Sequence, residues 1–221
     1  ENGENSYYRL NIDGISIAYG SFNSHGSTDN GLSIPLIIKQ GQVVTQFLYG
    51  NSSAGSFNGY LVDAITEPIT HDFSSSYTVP SGKNLYITNL YMNNSLLQID
   101  GVNVAYGGFN SHGGVANGLS IPLVVNQGQV VTQVQQSSTP AGSFNGYLAD
   151  EIVEPITHNL SSSYTVPSGK NLYITNLYMS GTLLKIDGVV IAYGSFNSQG
   201  SQVTGLSKPL IIKQGQVVTQ F

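Results

Sequence analysis

At 221 residues the chain is long enough for one large domain or two ordinary ones, and length by itself does not choose between them. Charged residues make up 9% of it, against about 25% in an ordinary soluble domain, and a net charge of -5 with only seven Lys and Arg, none clustered, provides no basic footprint for nucleic acid or anionic lipid. The absence of cysteine excludes disulfides and thiolate metal sites, and no apolar run approaches the roughly 18 residues of a membrane-spanning helix.

No basic segment precedes an apolar stretch near residue 1, so no signal peptide is expected there. The first element expected in chain order is a hairpin. Leu10, Ile12, Ile15 and Ile17 flank Asp13-Gly14, and Asp-Gly between alternating apolar residues is a strong signal for a two-residue type I′ turn. A loop with Tyr19, Phe22 and Asn23 follows, then an apolar run interrupted by Pro35. Proline cannot donate to a ladder, so that run is expected to be an edge strand or to carry a bulge. GSFNGYL from Gly55 reads as a further strand.

From Glu67 to Met92 the chain reads EPITHDFSSSYTVPSGKNLYITNLYM, and from Glu154 to Met179 it reads the same with only two changes, 87 residues on. The same offset relates Ile12-Asp13-Gly14 to Ile99-Asp100-Gly101 and Ile186-Asp187-Gly188, and GSFNGYL at Gly55 to its copy at Gly142. A fixed period sets the architecture before any element is assigned. Counted from Glu67, residues 1–66 are a first copy lacking its N-terminal strands, 67–153 a complete central copy, and 154–221 a third copy lacking its C-terminal strand. Glu67-Pro68 and Glu154-Pro155 read as connectors between copies, stiffened by proline, the second lying within Ala149 to Asn159. Missing strands leave unpaired edges, so the end copies are expected to be completed by further chain or by neighbouring subunits.

Within the central copy, strands are expected at Tyr77 to Val79, Leu85 to Tyr91, Leu119 to Val125, Val130 to Val134 and Phe144 to Leu148. A hairpin around Asp100-Gly101 pairs Ile99 with Val102 and Leu97 with Val104, and Asp187-Gly188 repeats it with Leu184, Ile186, Val189 and Ile191. Pro80 and Pro167 mark turns, while Pro122 and Pro209 interrupt apolar runs as Pro35 does. With no sustained 3.6-residue periodicity, about seven short strands per copy predict an all-β chain of tandem antiparallel β-sandwich modules, jelly-roll or immunoglobulin-like, with jelly roll preferred.

The run YTVPSGK, then LYI, IDG and a late QGQVV, resembles β-sandwich modules of secreted bacterial surface proteins and of phage fibre or decoration proteins. The resemblance covers the central copy and rests on turn and strand residues. It implies an architecture and an extracellular or cell-surface setting, but no activity.

Candidate chemistry is sparse. The four histidines fall at two repeat positions, His25 with His112 and His71 with His158, and Gln199 replaces the third member of the first set. Neither SHG nor PITH offers a second ligand at metal spacing, so local hydrogen bonding is the preferred reading and no metal or cofactor is expected. Asp13, Asp100 and Asp187 each precede glycine at a hairpin tip, where the turn itself selects Asp. Glu67 and Glu154 have no partner carboxylate at readable spacing, and Ser74 to Ser76 lacks a nucleophile-elbow context. No glycine loop ends in the GK[ST] of a phosphate cradle. A Lys-to-Asn cross-link from Lys83 or Lys170 is disfavoured by their place in turns facing solvent. Asn51, Asn93 and Asn159 match the glycosylation pattern at non-equivalent repeat positions, which makes them incidental.

One loop has the makings of a ligand site. Tyr106, Phe109 and Asn110 follow the central hairpin, as Tyr19, Phe22 and Asn23 follow the first and Tyr193, Phe196 and Asn197 the third. Aromatic rings beside amides can stack on and hydrogen-bond a sugar, although the plainer reading packs the rings on the end of the core. Faithful repetition suits a fibre better than an enzyme, because each module must offer its neighbour the same interface. The leading expectation is a non-enzymatic structural or adhesive extracellular fibre whose partners are copies of itself, closed by strand complementation. A multivalent carbohydrate-binding array and a phage fibre or decoration protein are the alternatives. Neither nucleic-acid binding nor membrane insertion is expected.

Overall fold

The structure is a computed structural model that describes residues 7–21, 35–49, 61, 66–92, 95–107, 118–135, 141–150, 153–179, 181–194 and 205–221. Among these it is all-β, with antiparallel sheets and no helix. The first stretch supplies β1 (Tyr7–Ile12), β2 (Ile15–Ser21) and β3 (Val44–Tyr49), ordered β2-β1-β3. Eight strands follow: β4 (Glu67–Asp72), β5 (Tyr77–Thr78), β6 (Lys83–Tyr91), β7 (Ser95–Ile99), β8 (Val102–Gly107), β9 (Gly118–Val125), β10 (Val130–Gln135) and β11 (Ser143–Asp150). They form two four-stranded sheets, β5-β10-β7-β8 and β4-β11-β6-β9. The last stretch supplies β12 (Tyr164–Thr165), β13 (Leu172–Asn176), β14 (Thr182–Ile186), β15 (Val189–Gly194), β16 (Gly205–Ile212) and β17 (Val217–Gln220), ordered β12-β17-β14-β15 and β13-β16.

The middle strands share one core. Leu85, Ile87, Leu123, Val125, Phe144 and Leu148 from one sheet cluster with Leu97, Ile99, Ala105 and Val131 from the other. Leu85 and Ile87 are fully buried, as are Leu97 and Ile99 two residues apart on β7, the period of a strand with one face inward. The last stretch has a smaller cluster around Val166, Leu184, Ile212 and Val218.

The hairpin tips take the expected turn, with φ of 51° at Asp13, 49° at Asp100 and 49° at Asp187, each followed by a glycine of positive φ. Their carboxylates also reach across to the strand that pairs with the hairpin. Asp100 Oδ1 accepts from Val130 N at 2.8 Å, and Oδ2 from Gln129 Nε2 at 2.9 Å. The same pair of bonds joins Asp13 to Val43 and Gln42, and Asp187 to Val217 and Gln216. At Asp187 the bond from Val217 foremost, and then that from Gln216, holds the carboxyl below its ordinary range. Gln127 accepts from Gly82 N at 2.7 Å, so the QGQ loop fastens the Ser81-Gly82 turn as well as the hairpin tip.

Four expectations need correction, the last being the edge strand at Pro35. Val104 is not opposite Leu97: a bulge after Leu97 places Ala105 there, and Leu10 and Leu184 likewise face Ala18 and Ala192. The middle stretch has eight strands instead of about seven, because Glu67–Asp72 is β4 and not a connector. Pro68 is tolerated because β4 is the outer strand of its sheet, bonded only to β11. Pro122 lies on β9, the opposite outer strand. By contrast Glu154–Asn159, nearly identical to β4 in sequence, is described and forms no strand, and neither do residues 35–43.

Asp100→Ala loses two accepted bonds and puts an alanine at positive φ, so urea unfolding is expected to show a loss of about 2 kcal/mol, with Asp100→Asn costing less than half as much. Gly146 sits at a bulge in β11, and a Cβ there would enter the space of the Tyr86 carbonyl oxygen. Gly146→Ala is therefore expected to cost about 3 kcal/mol in the same measurement, a rare case of alanine harming a strand more than glycine.

Candidate functional site

The proposed sugar-binding loops lie almost wholly outside the described residues. This is so for Phe22, Asn23, Phe109, Asn110, Phe196 and Asn197, and for His25 and His112. Tyr19 and Tyr193 are described only as backbone, paired with Arg9 on β1 and Leu183 on β14. Tyr106, opposite Leu96, is half-buried and near enough to Tyr178 to add to the rise in its phenol pKa that burial begins.

The other singled-out residues are structural. His71 Nε2 lies 3.0 Å from the Ser75 carbonyl, with its ring among Phe73, Tyr77 and Phe144, and His158 is placed likewise against Ser162 and Tyr164. Lys83 does not point freely to solvent: it bridges Glu67 at 2.7 Å and Asp150 at 3.0 Å, tying β4 and β11 to β6, and Glu67 foremost raises its pKa. Lys170 pairs with Glu154 at 2.7 Å and holds that carboxyl below its ordinary range. Among the described residues, no three His, Asp or Glu side chains gather closely enough to hold a metal ion.

The most developed polar site is one the sequence did not announce, at the face of β11. The Asn145 side chain is fully buried and clasps a backbone from another part of the chain: its Nδ2 donates to Ile37 O at 2.8 Å, and its Oδ1 accepts from Ile37 N at 2.9 Å. Two-point pairing of this kind is what a neighbouring strand would supply. Asn145 Nδ2 also lies 3.2 Å from Thr70 Oγ1, and Thr88 Oγ1 donates to Asn145 O at 3.1 Å. Beside it Ser143 Oγ donates to Ser16 O. β2 thereby lies against β4, β11 and β6, and Ile17 on β2 is buried.

The next junction along the chain has a different form. A cleft of about 400 Å³ is lined on one side by Asn103, Val104 and Val124, and on the other by Pro155 to Leu160 and Thr175 to Met179. Asn103 and Val124 stand 87 residues after Ser16 and Ile37, the two residues that β11 engages. The far walls stand 87 residues after β4 and the latter half of β6, the two strands between which β11 runs. The cleft thus lies where the matching position in the middle stretch holds Ser143 to Tyr147. No protein-family model, curated protein or solved structure matches the chain.

Asn145→Ala leaves the Ile37 N–H and C=O without partners in a part-buried site, and is expected to lower unfolding free energy by about 2 kcal/mol and to hasten proteolysis within residues 35–49. Asn145→Asp, which cannot donate to Ile37 O and buries a charge, should cost more. The check is urea unfolding paired with a timed trypsin digest, Lys39 being the cleavage point.

Proposed function

We propose that the chain is a length of extracellular or cell-surface fibre, structural or adhesive, built from jelly-roll β-sandwich modules that repeat every 87 residues. Counting the middle strands one to eight from β4 to β11, the sheets run one-eight-three-six and two-seven-four-five, the order in which two Greek keys wind a jelly roll. The core drawn from both sheets supports the sandwich reading. The last stretch keeps two-seven-four-five intact, and the first keeps five-four-seven, so residues 1–66, 67–153 and 154–221 are read as one partial, one whole and one partial module.

The observation that carries the fibre reading is the clasp of Asn145 on Ile37. The final strand of a module serves at once as a central strand of its own sheet and as the surface that grips the module before it. Because it grips backbone atoms, which every module offers, such a junction is repeatable from module to module, as a linear array whose stability is a sum of modules and interfaces requires. Repetition of this kind serves length and reach and asks for no catalytic group, cofactor or nucleic acid. The surface setting is the one its resemblance to secreted and fibre modules implies.

Negative-stain microscopy and light scattering over a concentration series test the reading. End-to-end particles with a constant axial spacing, growing in length with concentration, are expected; a single monomeric species at every concentration overturns it.

A further inference from the structure

We propose that Tyr86 and Tyr147 form an oxidative cross-linking site, at which a one-electron oxidant joins β6 to β11 through a carbon–carbon bond between the two phenol rings. The proposal goes beyond the fibre reading and stands on the middle stretch alone.

The two tyrosines are directly opposite each other on adjacent antiparallel strands. Their rings are parallel to within 2°, with centroids 4.9 Å apart, and both side chains are half-buried. Leu85 and Ile87, which flank Tyr86 along β6, belong to the core, so the pair stands on the other face of the sheet, the face from which Asn145 clasps Ile37. Across that face Pro68 is the neighbour of Tyr147 and Val124 the neighbour of Tyr86. Neither gives up an electron readily. Within this row of four, each tyrosine has the other as its oxidisable partner.

A phenol loses one electron and one proton far more easily than an aliphatic side chain, and the resulting phenoxyl radical carries much of its spin on the ring carbons ortho to oxygen. Once each ring has been oxidised, one ortho carbon of each joins the other. The hydrogens on those two carbons then move to the phenol oxygens and restore both aromatic rings. In all, two electrons and two protons leave the pair, and a peroxidase passes them to hydrogen peroxide, which becomes two molecules of water. Rings already in contact couple as parts of one molecule and not by chance encounter, and rotation about their side-chain bonds is the only movement needed, because the backbones are already paired.

The product is a covalent tie in a chain that has no cysteine to make one. It fixes β11, the strand that holds both the core and the neighbouring stretch of chain, to the strand beside it. By closing the loop between residues 86 and 147 it also narrows the unfolded ensemble, as a disulfide does.

Treatment of the full chain with a peroxidase and hydrogen peroxide, followed by mass spectrometry under denaturing conditions, tests the site. A single chain lighter by two hydrogen atoms and fluorescing as dityrosine is expected, in a yield that does not change with chain concentration. Cleavage before Asp72, Asp100 and Asp150 should release residues 72–99 joined to residues 100–149. Tyr86→Phe and Tyr147→Phe keep the stacked rings but cannot form the second radical, and each should lower the yield at least about ten-fold, while Tyr91→Phe and Tyr106→Phe leave it unchanged. The cross-linked chain should unfold at a higher urea concentration than the untreated one. No dityrosine, dityrosine only between chains, or a yield that Tyr147→Phe leaves intact overturns the site. A cross-linked chain that unfolds at the same urea concentration overturns its role as a tie.

Discussion

Backbone N–H and C=O groups cannot be left unpaired inside a protein, and β11 is where that demand is met from both sides. It fills the centre of its sheet, gives Phe144 and Leu148 to the core, and turns Ser143 and Asn145 outward to hold another stretch of chain. Glu67–Asp72 is a strand because β11 lies beside it. The nearly identical Glu154–Asn159, with no such neighbour among the described residues, is not. Two similar peptides in two conformations show that pairing, more than local propensity, decides strand formation at a sheet edge.

A second constraint acts through side chains. The carboxylate of each Asp-Gly turn and the glutamines of the QGQ loop form a lattice that ties hairpin tip, loop and following strand together. With 9% charged residues the surface has few ion pairs to spare, and neutral amides take over much of the cross-linking. Among the described residues the ion pairs are Lys83 with Glu67 and Asp150, which join three strands, and Lys170 with Glu154, and they are exposed enough for salt to weaken them.

Where sequence reasoning failed, the failures have physical causes. EPITHD reads as a connector because Glu and Pro are poor strand residues, yet an outer strand needs to donate on one side only, and Pro68 costs it little. The bulge that sets Ala105 opposite Leu97 follows from twist and packing, which leave no mark on an alternating pattern. Asn145 was overlooked inside an unremarkable strand. Its signal was the Asn-Gly pair itself, two residues that strands avoid, placed between Phe144 and Tyr147.

Local chemistry, printed in the residues, determined a good deal by itself: an all-β chain, the type I′ turns at Asp-Gly, the apolar faces of the hairpins and the 87-residue period. These depend on dihedral preferences and on neighbours close in sequence. Only the tertiary structure decided which strands share a sheet, that β11 joins β4 to β6, and that its outward asparagine meets Ile37, 108 residues away. Such contacts join distant parts of the chain through backbone atoms common to every residue, so no side-chain pattern encodes them until the fold brings them together.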